Sequence, residues 1–253
     1  MLSPTIPLVA AVPTAVLLGI ATATATGPLL RMLPAETESE AGDTQGTGPA
    51  GPTLLGSAPP DRPPDYGALA GRGFATACGA VSLVASLLVL TLAPLPWLPL
   101  WLVWSTLFVV LVGVDAATTW LPLGLTRATW AAGAVALALS GGLVLALGRG
   151  TAADPVRVLL GAAAAGALYL ALWRVGRGLG FGDVRISPLL GALGAALSWT
   201  EWWVALAAGP LLGAVWGIVR SVAGHRGPYA YGPWMWLGPA AALLAQPTGP
   251  LVA

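Results

Sequence analysis

Residues 104–120 read WSTLFVVLVGVDAATTW. An unbroken apolar run from 107 to 114 closes on a single acid, Asp115. Such a run reads as most of a membrane span with a carboxyl group at its end. The composition of the whole chain agrees. Its 253 residues are 57% hydrophobic and 8% charged, and the mean hydropathy is +0.81. An average soluble domain carries about 25% charged residues, enough to cover its surface. This chain has too few, so it reads as an all-α polytopic membrane protein.

Measured against the ~20 residues that a helix needs to cross a bilayer, the apolar segments give eight candidate spans. They lie at 6–30, 73–93, 97–114, 128–147, 156–174, 186–200, 202–220 and 233–252. The sixth is short and reads as tilted or partly re-entrant. The first lacks a basic stretch before its apolar run and is followed by Arg31, so it reads as a retained span and not a cleaved signal.

Residues 31–72 are different in kind. One third are Gly or Pro, Tyr66 is the sole aromatic, and six of the ten acids of the chain fall here. A segment of that composition cannot bury enough apolar area to fold, which predicts a mostly disordered loop. Arginine placement sets the orientation. The loops after spans 1, 3, 5 and 7 hold nine arginines and the opposite side only Arg149 and Arg157. The side richer in basic residues faces the cytoplasm. The N-terminus is therefore expected outside and residues 31–72 inside. Tryptophans near span ends (Trp97 and Trp101; Trp199, Trp202 and Trp203; Trp234 and Trp236) suggest interfacial belts.

With one cysteine and one histidine, the chain has no disulfide of its own and no multi-histidine or cysteine metal site. Cys78 reads as a small packed core residue. A Ser–His–Asp or Cys–His nucleophile has no support either. Four acids remain outside the polar loop: Asp115, Asp154, Asp183 and Glu201. The topology puts Asp154 and Glu201 outside, in water, near Arg157 and the tryptophans. It puts Asp115 and Asp183 at the cytoplasmic face against apolar helix, where an acid is costly.

Asp183 stands in GRGLGFGDVRIS, residues 176–187, just before the sixth span. A dinucleotide-binding glycine loop would need Gly-x-Gly-x-x-Gly between a strand and a soluble helix. Here Gly178, Gly180 and Gly182 come at every second position between membrane spans, which argues against that reading. Two carboxylates held close in a low-dielectric site cannot both ionise easily and hold one proton between them. One can then act as a base on a shared water while the other, protonated, polarises a carbonyl oxygen. The glycines would let Asp183 approach Asp115 and leave room for an extended backbone, or would serve only as a loop between spans.

The residues around both aspartates resemble the type IV prepilin peptidase family. In VDAATTWLPLGLT, Asp115 is followed at the family spacing by Leu121-Pro122 and Leu125-Thr126. GFGDVRI resembles the second motif, Gly-x-Gly-Asp-x-Lys-Leu, through Gly180, Gly182 and Asp183, with Arg185 in place of the lysine. YGPWMWLGPA, with Gly232-Pro233, resembles the closing Pro-Phe-Gly-Pro-Phe stretch, although Tyr231 and Trp234 stand near positions where the family usually has Phe. Arg is a flat fork and Lys a point charge, so the change at Arg185 is not neutral if that group meets substrate. Leu123 stands where the family often has an acid.

The resemblance covers about residues 73–253 and implies a seven-helix peptidase domain there, after a first transmembrane helix at 1–30 and the loop at 31–72. It implies an aspartic endopeptidase with Asp115 and Asp183 catalytic, and with Gly180, Gly182, Arg185, Pro122, Gly232 and Pro233 supporting the motifs. The substrates would be prepilins or pseudopilins, cleaved at the cytoplasmic face of the cell membrane. The only other partner is membrane lipid; no nucleic acid, cofactor or metal is called for. Larger family members carry a cysteine-containing methyltransferase region after a first span ending in Arg-Leu-Pro. Here Arg31 and Leu33-Pro34 remain but residues 35–72 hold no cysteine, so that region reads as a remnant. Two other readings stay open: a proton-coupled transporter with the two aspartates as relay groups, and a non-catalytic assembly protein of a pilus or secretion system.

Overall fold

The computed structural model describes residues 6–33, 64–148, 153–175, 180–225 and 229–246. All regular elements among them are helical. They are α1 Leu8–Met32, α2 Arg72–Leu92, α3 Leu98–Ser105, α4 Leu107–Thr118, α5 Leu123–Ala146, α6 Ala153–Val175, α7 Phe181–Leu197, α8 Trp199–Val222 and α9 Gly232–Ala245, with short 3-10 turns at Tyr66–Leu69 and Leu95–Trp97. α3 and α4 form one rod broken at Thr106, whose backbone leaves the helical region (φ −121, ψ −85). There the Thr106 hydroxyl donates to the Leu102 carbonyl at 2.6 Å and competes with the helical ladder.

Six helical stretches are long and apolar enough to cross a bilayer: Leu8–Met32, Arg72–Leu92, Leu95–Thr118, Leu123–Ala146, Asp154–Val175 and Trp199–Val222. The chain is a multi-pass, all-α membrane protein. The other two expected spans are shorter than drawn from hydropathy. The sixth falls on α7, with 17 residues, and the eighth on α9, with 14. Both fall below the ~20 residues of a perpendicular crossing. Most of α7 is buried by its neighbours.

Helices in lipid gain little from expelling water from one another, so close van der Waals contact between small residues must hold them. α1 and α2 meet at Gly19 and Gly79, where a Cβ on either would lie 2.9 or 2.8 Å from the other's carbonyl oxygen. α6 and α7 meet in the same way at Gly161 and Gly191. These two run antiparallel. At one end of the pair, Arg157 near the start of α6 donates through Nε to the Ala195 carbonyl near the end of α7, at 2.8 Å. Further along, the Ser187 hydroxyl of α7 donates to the Ala165 carbonyl of α6, at 3.4 Å. α9 is clasped to α3 by two tryptophans. Trp104 and Trp236 stack with ring centroids 4.6 Å apart and 11° between planes. Each indole N–H donates to the other residue's carbonyl at 3.1 Å.

That clasp corrects part of the interfacial reading of tryptophan. Trp199 and Trp203 are exposed, but Trp97, Trp101, Trp202 and Trp236 are buried against protein. Glu201 is a second correction. It is not a solvated end residue but is buried, 7% exposed. It sits in the first turn of α8, where the Ser198 hydroxyl donates to its carboxylate. Asp154 does pair with Arg157, at 3.2 Å, and Cys78 is a buried free thiol.

Of the 31–72 segment, residues 34–63 lie outside the described part. Its two ends are structured. α1 runs on through Arg31, and the 3-10 turn of Tyr66–Leu69 is capped by Asp65, which accepts from the Gly67 amide at 2.9 Å. Tyr66 is buried.

Candidate active site

Three helix ends converge where the two acids lie. Asp115 sits in the last turn of α4. The helix stops four residues later at Thr119, which takes a left-handed backbone (φ 61) while its amide donates to the Asp115 carbonyl oxygen at 2.6 Å. The chain then passes Leu121 and re-enters helix after Pro122, the residue that caps α5. The carbonyl of Pro122 accepts from both the amide and the hydroxyl of Thr126, each at 2.9 Å. Asp115 therefore projects from a rigid corner and not from a free loop.

Asp183 was expected just before a span. Instead it lies within the first turn of α7, after Gly180 as cap. The reason is local: its amide donates to the Gly180 carbonyl at 3.1 Å, and its carboxylate accepts the Gly180 amide at 3.1 Å. That reciprocal pair is what an acid does at the start of a helix, where amides lack partners and the dipole favours negative charge. One lone pair is so used; the rest of the carboxylate remains for other partners.

The third end is α9. The amide of Gly232, its first residue, donates to Asp115 Oδ2 at 2.9 Å. Pro233 follows in the first turn, where a missing amide hydrogen is tolerated. Gly232 is required here by space. A Cβ would lie 2.6 Å from Asp115 Oδ2, closer than any real contact. Gly182 lies against the same corner, where a Cβ would come 2.6 Å from Leu121 Cδ1, the end of a flexible side chain. The corner after Asp115 thus packs directly on the residue before Asp183.

Both carboxylates are buried, Asp115 at 5% and Asp183 at 6% exposure, and the two repel each other electrostatically. Two acids 68 positions apart in sequence (183 − 115) have been brought to one place. Among the described residues, no three His, Cys, Asp or Glu side chains gather as a metal-binding group. Two buried carboxylates that feel each other's charge can share a proton.

Arg185 lies one turn into α7 with its guanidinium 5.0 Å from the Phe181 ring centre. Its carbonyl accepts the Trp130 indole N–H at 2.9 Å, which ties α7 to α5. Asp154 and Glu201 are at the other end of the bundle, beside the Arg157 contact with Ala195.

No protein-family model, no curated protein and no solved structure matches this chain.

Two tyrosines near the acids were not singled out as site residues from sequence. Tyr169 of α6 and Tyr231, the residue before α9, both feel the charge of Asp183. Tyr169 is buried and its hydroxyl donates to the Leu206 carbonyl at 3.2 Å. Tyr231 is half-buried. Burial first, then the negative charge of Asp183, push its phenol up to about 12, so it stays protonated and able to donate. Its position beside Gly232 was the one available signal.

Proposed function

We propose that this protein is an intramembrane aspartic endopeptidase of the prepilin peptidase type. It would remove the short basic leader from prepilins or pseudopilins at the cytoplasmic face of the cell membrane. The observation that carries the reading is the meeting of Asp115 and Asp183. Both are buried, each is anchored by one glycine amide, and together they lie between the ends of α4, α7 and α9.

The chemistry follows from the pair. One carboxylate takes a proton from a water held between them as that water attacks the scissile carbonyl. The other, protonated, donates to the carbonyl oxygen as it gains charge. The proton taken from water then reaches the leaving amine. Asp115 is suited to a fixed orientation, since the Gly232 amide holds one of its oxygens. A substrate that is an apolar helix after an extended leader could lie along the membrane-embedded wall while the leader stays in the cytoplasm. On this reading α7 and α9 also pass through or into the membrane. The chain then makes eight passes, with the N-terminus outside and the arginine-rich loops inside. The reading calls for no cofactor and no nucleic acid; lipid and the substrate are the partners.

The test is co-expression with a tagged single-span probe bearing a short basic leader. Loss of the leader, read by mass, in wild-type membranes but not with Asp115→Asn or Asp183→Asn is the result expected. An intact probe in all three, with the protein present in the membrane, would overturn the reading.

A further inference from the structure

We infer that Tyr231 is a substrate-contacting residue of this site, its phenol donating to the carbonyl oxygen of the peptide held at the two carboxylates. The inference rests on the peptidase reading above. Three placements carry it. First, the backbone fixes Tyr231 beside the acid pair, because the next amide, Gly232, is bonded to Asp115 Oδ2. The position cannot drift without breaking that bond.

Second, the ring is held and the hydroxyl is not. The Tyr231 ring lies against Gly213 of α8, where a Cβ would come within 2.6 Å of its Cε2. It also packs edge-on to Tyr229, with centroids 6.5 Å apart. Tyr229 in turn is fixed by its own hydroxyl on the Gly213 carbonyl at 2.8 Å and by the Arg220 guanidinium 5.8 Å from its ring centre. A positioned ring loses little freedom on binding, which is what a donor needs if it is to act without reorganisation.

Third, the neighbouring tyrosines differ in what their hydroxyls do. That of Tyr169 is taken by Leu206, and that of Tyr229 by Gly213. The hydroxyl of Tyr231 makes no hydrogen bond among the described residues. A phenol that precedes the Gly232 anchor of Asp115 and feels the charge of Asp183, with its ring clamped and its donor unused, is arranged to meet something that arrives. The scissile carbonyl oxygen takes one donor from the protonated carboxyl and has a second lone pair open to the phenol. That oxygen gains negative charge as water adds, so a donor there helps the transition state more than the bound substrate.

The experiment compares wild type, Tyr231→Phe, Tyr229→Phe and Asp183→Asn in detergent, with the same leader-bearing single-span probe. Tyr231→Phe keeps the ring and its packing. We expect kcat to fall by about 10²-fold, as for loss of one oxyanion donor, with KM nearly unchanged and the melting temperature unmoved because no intramolecular bond is lost. Tyr229→Phe loses the bond to the Gly213 carbonyl and should lower the melting temperature, which shows how the loss of a structural hydroxyl reads in the same assay. If wild type cleaves, Asp183→Asn does not, and Tyr231→Phe cleaves at the wild-type rate, the role of Tyr231 is overturned while the peptidase reading stands. A fall in kcat matched by an equal fall in melting temperature would make the hydroxyl structural and also overturn it. If wild type itself leaves the probe intact, the peptidase reading fails first, and the role of Tyr231 falls with it.

Discussion

The amide of Gly232 donates a 2.9 Å hydrogen bond to the carboxylate of Asp115, 117 positions earlier in the chain. It joins the first residue of α9 to the last turn of α4, and no side chain fits between them. Replacing Gly232 with Ala would put a Cβ 2.6 Å from Asp115 Oδ2 and 3.3 Å from its Cγ. The carboxylate is short and fixed to the helix end, so either it turns away from the amide or α9 shifts. Leader cleavage should fall by 10²-fold or more, on the scale expected when a catalytic group is misplaced by about 1 Å. Gly182→Ala meets instead the far end of the flexible Leu121 side chain, which can change rotamer. It should lose far less activity. Equal losses in the two variants, at equal membrane levels, would contradict this account.

The Trp104–Trp236 clasp predicts a stability effect apart from activity. Trp104→Phe keeps most of the buried ring but removes the N–H that satisfies the Trp236 carbonyl. Losing one hydrogen bond of this kind costs about 0.5–1.5 kcal/mol. The reciprocal change, Trp236→Phe, should cost a similar amount. The double variant should cost less than the sum, since residues in direct contact do not act independently. Thermal melts in detergent measure all four proteins. Additive losses would show that the two rings do not act as one clasp.

What could be read from the sequence, and what could not, divides along a physical line. Asp115 and Asp183 stood out because an acid beside apolar helix is rare whatever it touches. The six long spans stood out because length and apolarity are local properties. Burial could not be read in the same way. In a lipid-embedded chain, the face toward protein and the face toward lipid are both apolar, so periodicity does not separate them. That is why Trp101 and Trp236 read as belt residues yet lie in the core, and why Glu201 read as solvated. The break at Thr106 and the Gly232–Asp115 bond depend on partners that no local window contains.

Glu201 also gives a control at the opposite end of the bundle. Its carboxylate accepts from the capping Ser198 hydroxyl, and Ser198 accepts the Thr200 amide at 3.0 Å. Glu201→Gln keeps the size and loses the charge at a helix start. It should lower stability by about 1 kcal/mol and leave leader cleavage unchanged. Asp154→Asn, which removes the partner of Arg157, should likewise spare cleavage. A variant of either kind that blocks cleavage with normal protein levels would place substrate handling at the wrong end of the molecule.

Topology is open to a direct check. Nine arginines on one set of loops against Arg149 and Arg157 on the other predict the orientation. A reporter fused after residue 50 should give a cytoplasmic signal, and one after residue 151 an external signal. If residue 50 reports as external, the acid pair faces away from the compartment in which leaders are presented, and the cleavage reaction proposed here could not take place there.

The strongest prediction concerns the acid pair itself. Asp115 is held by Gly232 and Asp183 by Gly180, so each can be changed with its anchor left in place. An asparagine keeps the oxygen that accepts the glycine amide but can neither take a proton from water nor share one. Asp115→Asn and Asp183→Asn should each abolish leader cleavage. The double variant should be no worse than either, because members of one catalytic unit are not additive. Replacing a buried charge without removing its bulk should leave the fold intact and can stabilise it; protein level and melting temperature check this. In the wild type the rate should depend on pH through two apparent values that belong to the pair and not to either residue. Substantial cleavage by either single Asn variant would show that one carboxylate suffices, and the two-aspartate mechanism would have to be abandoned.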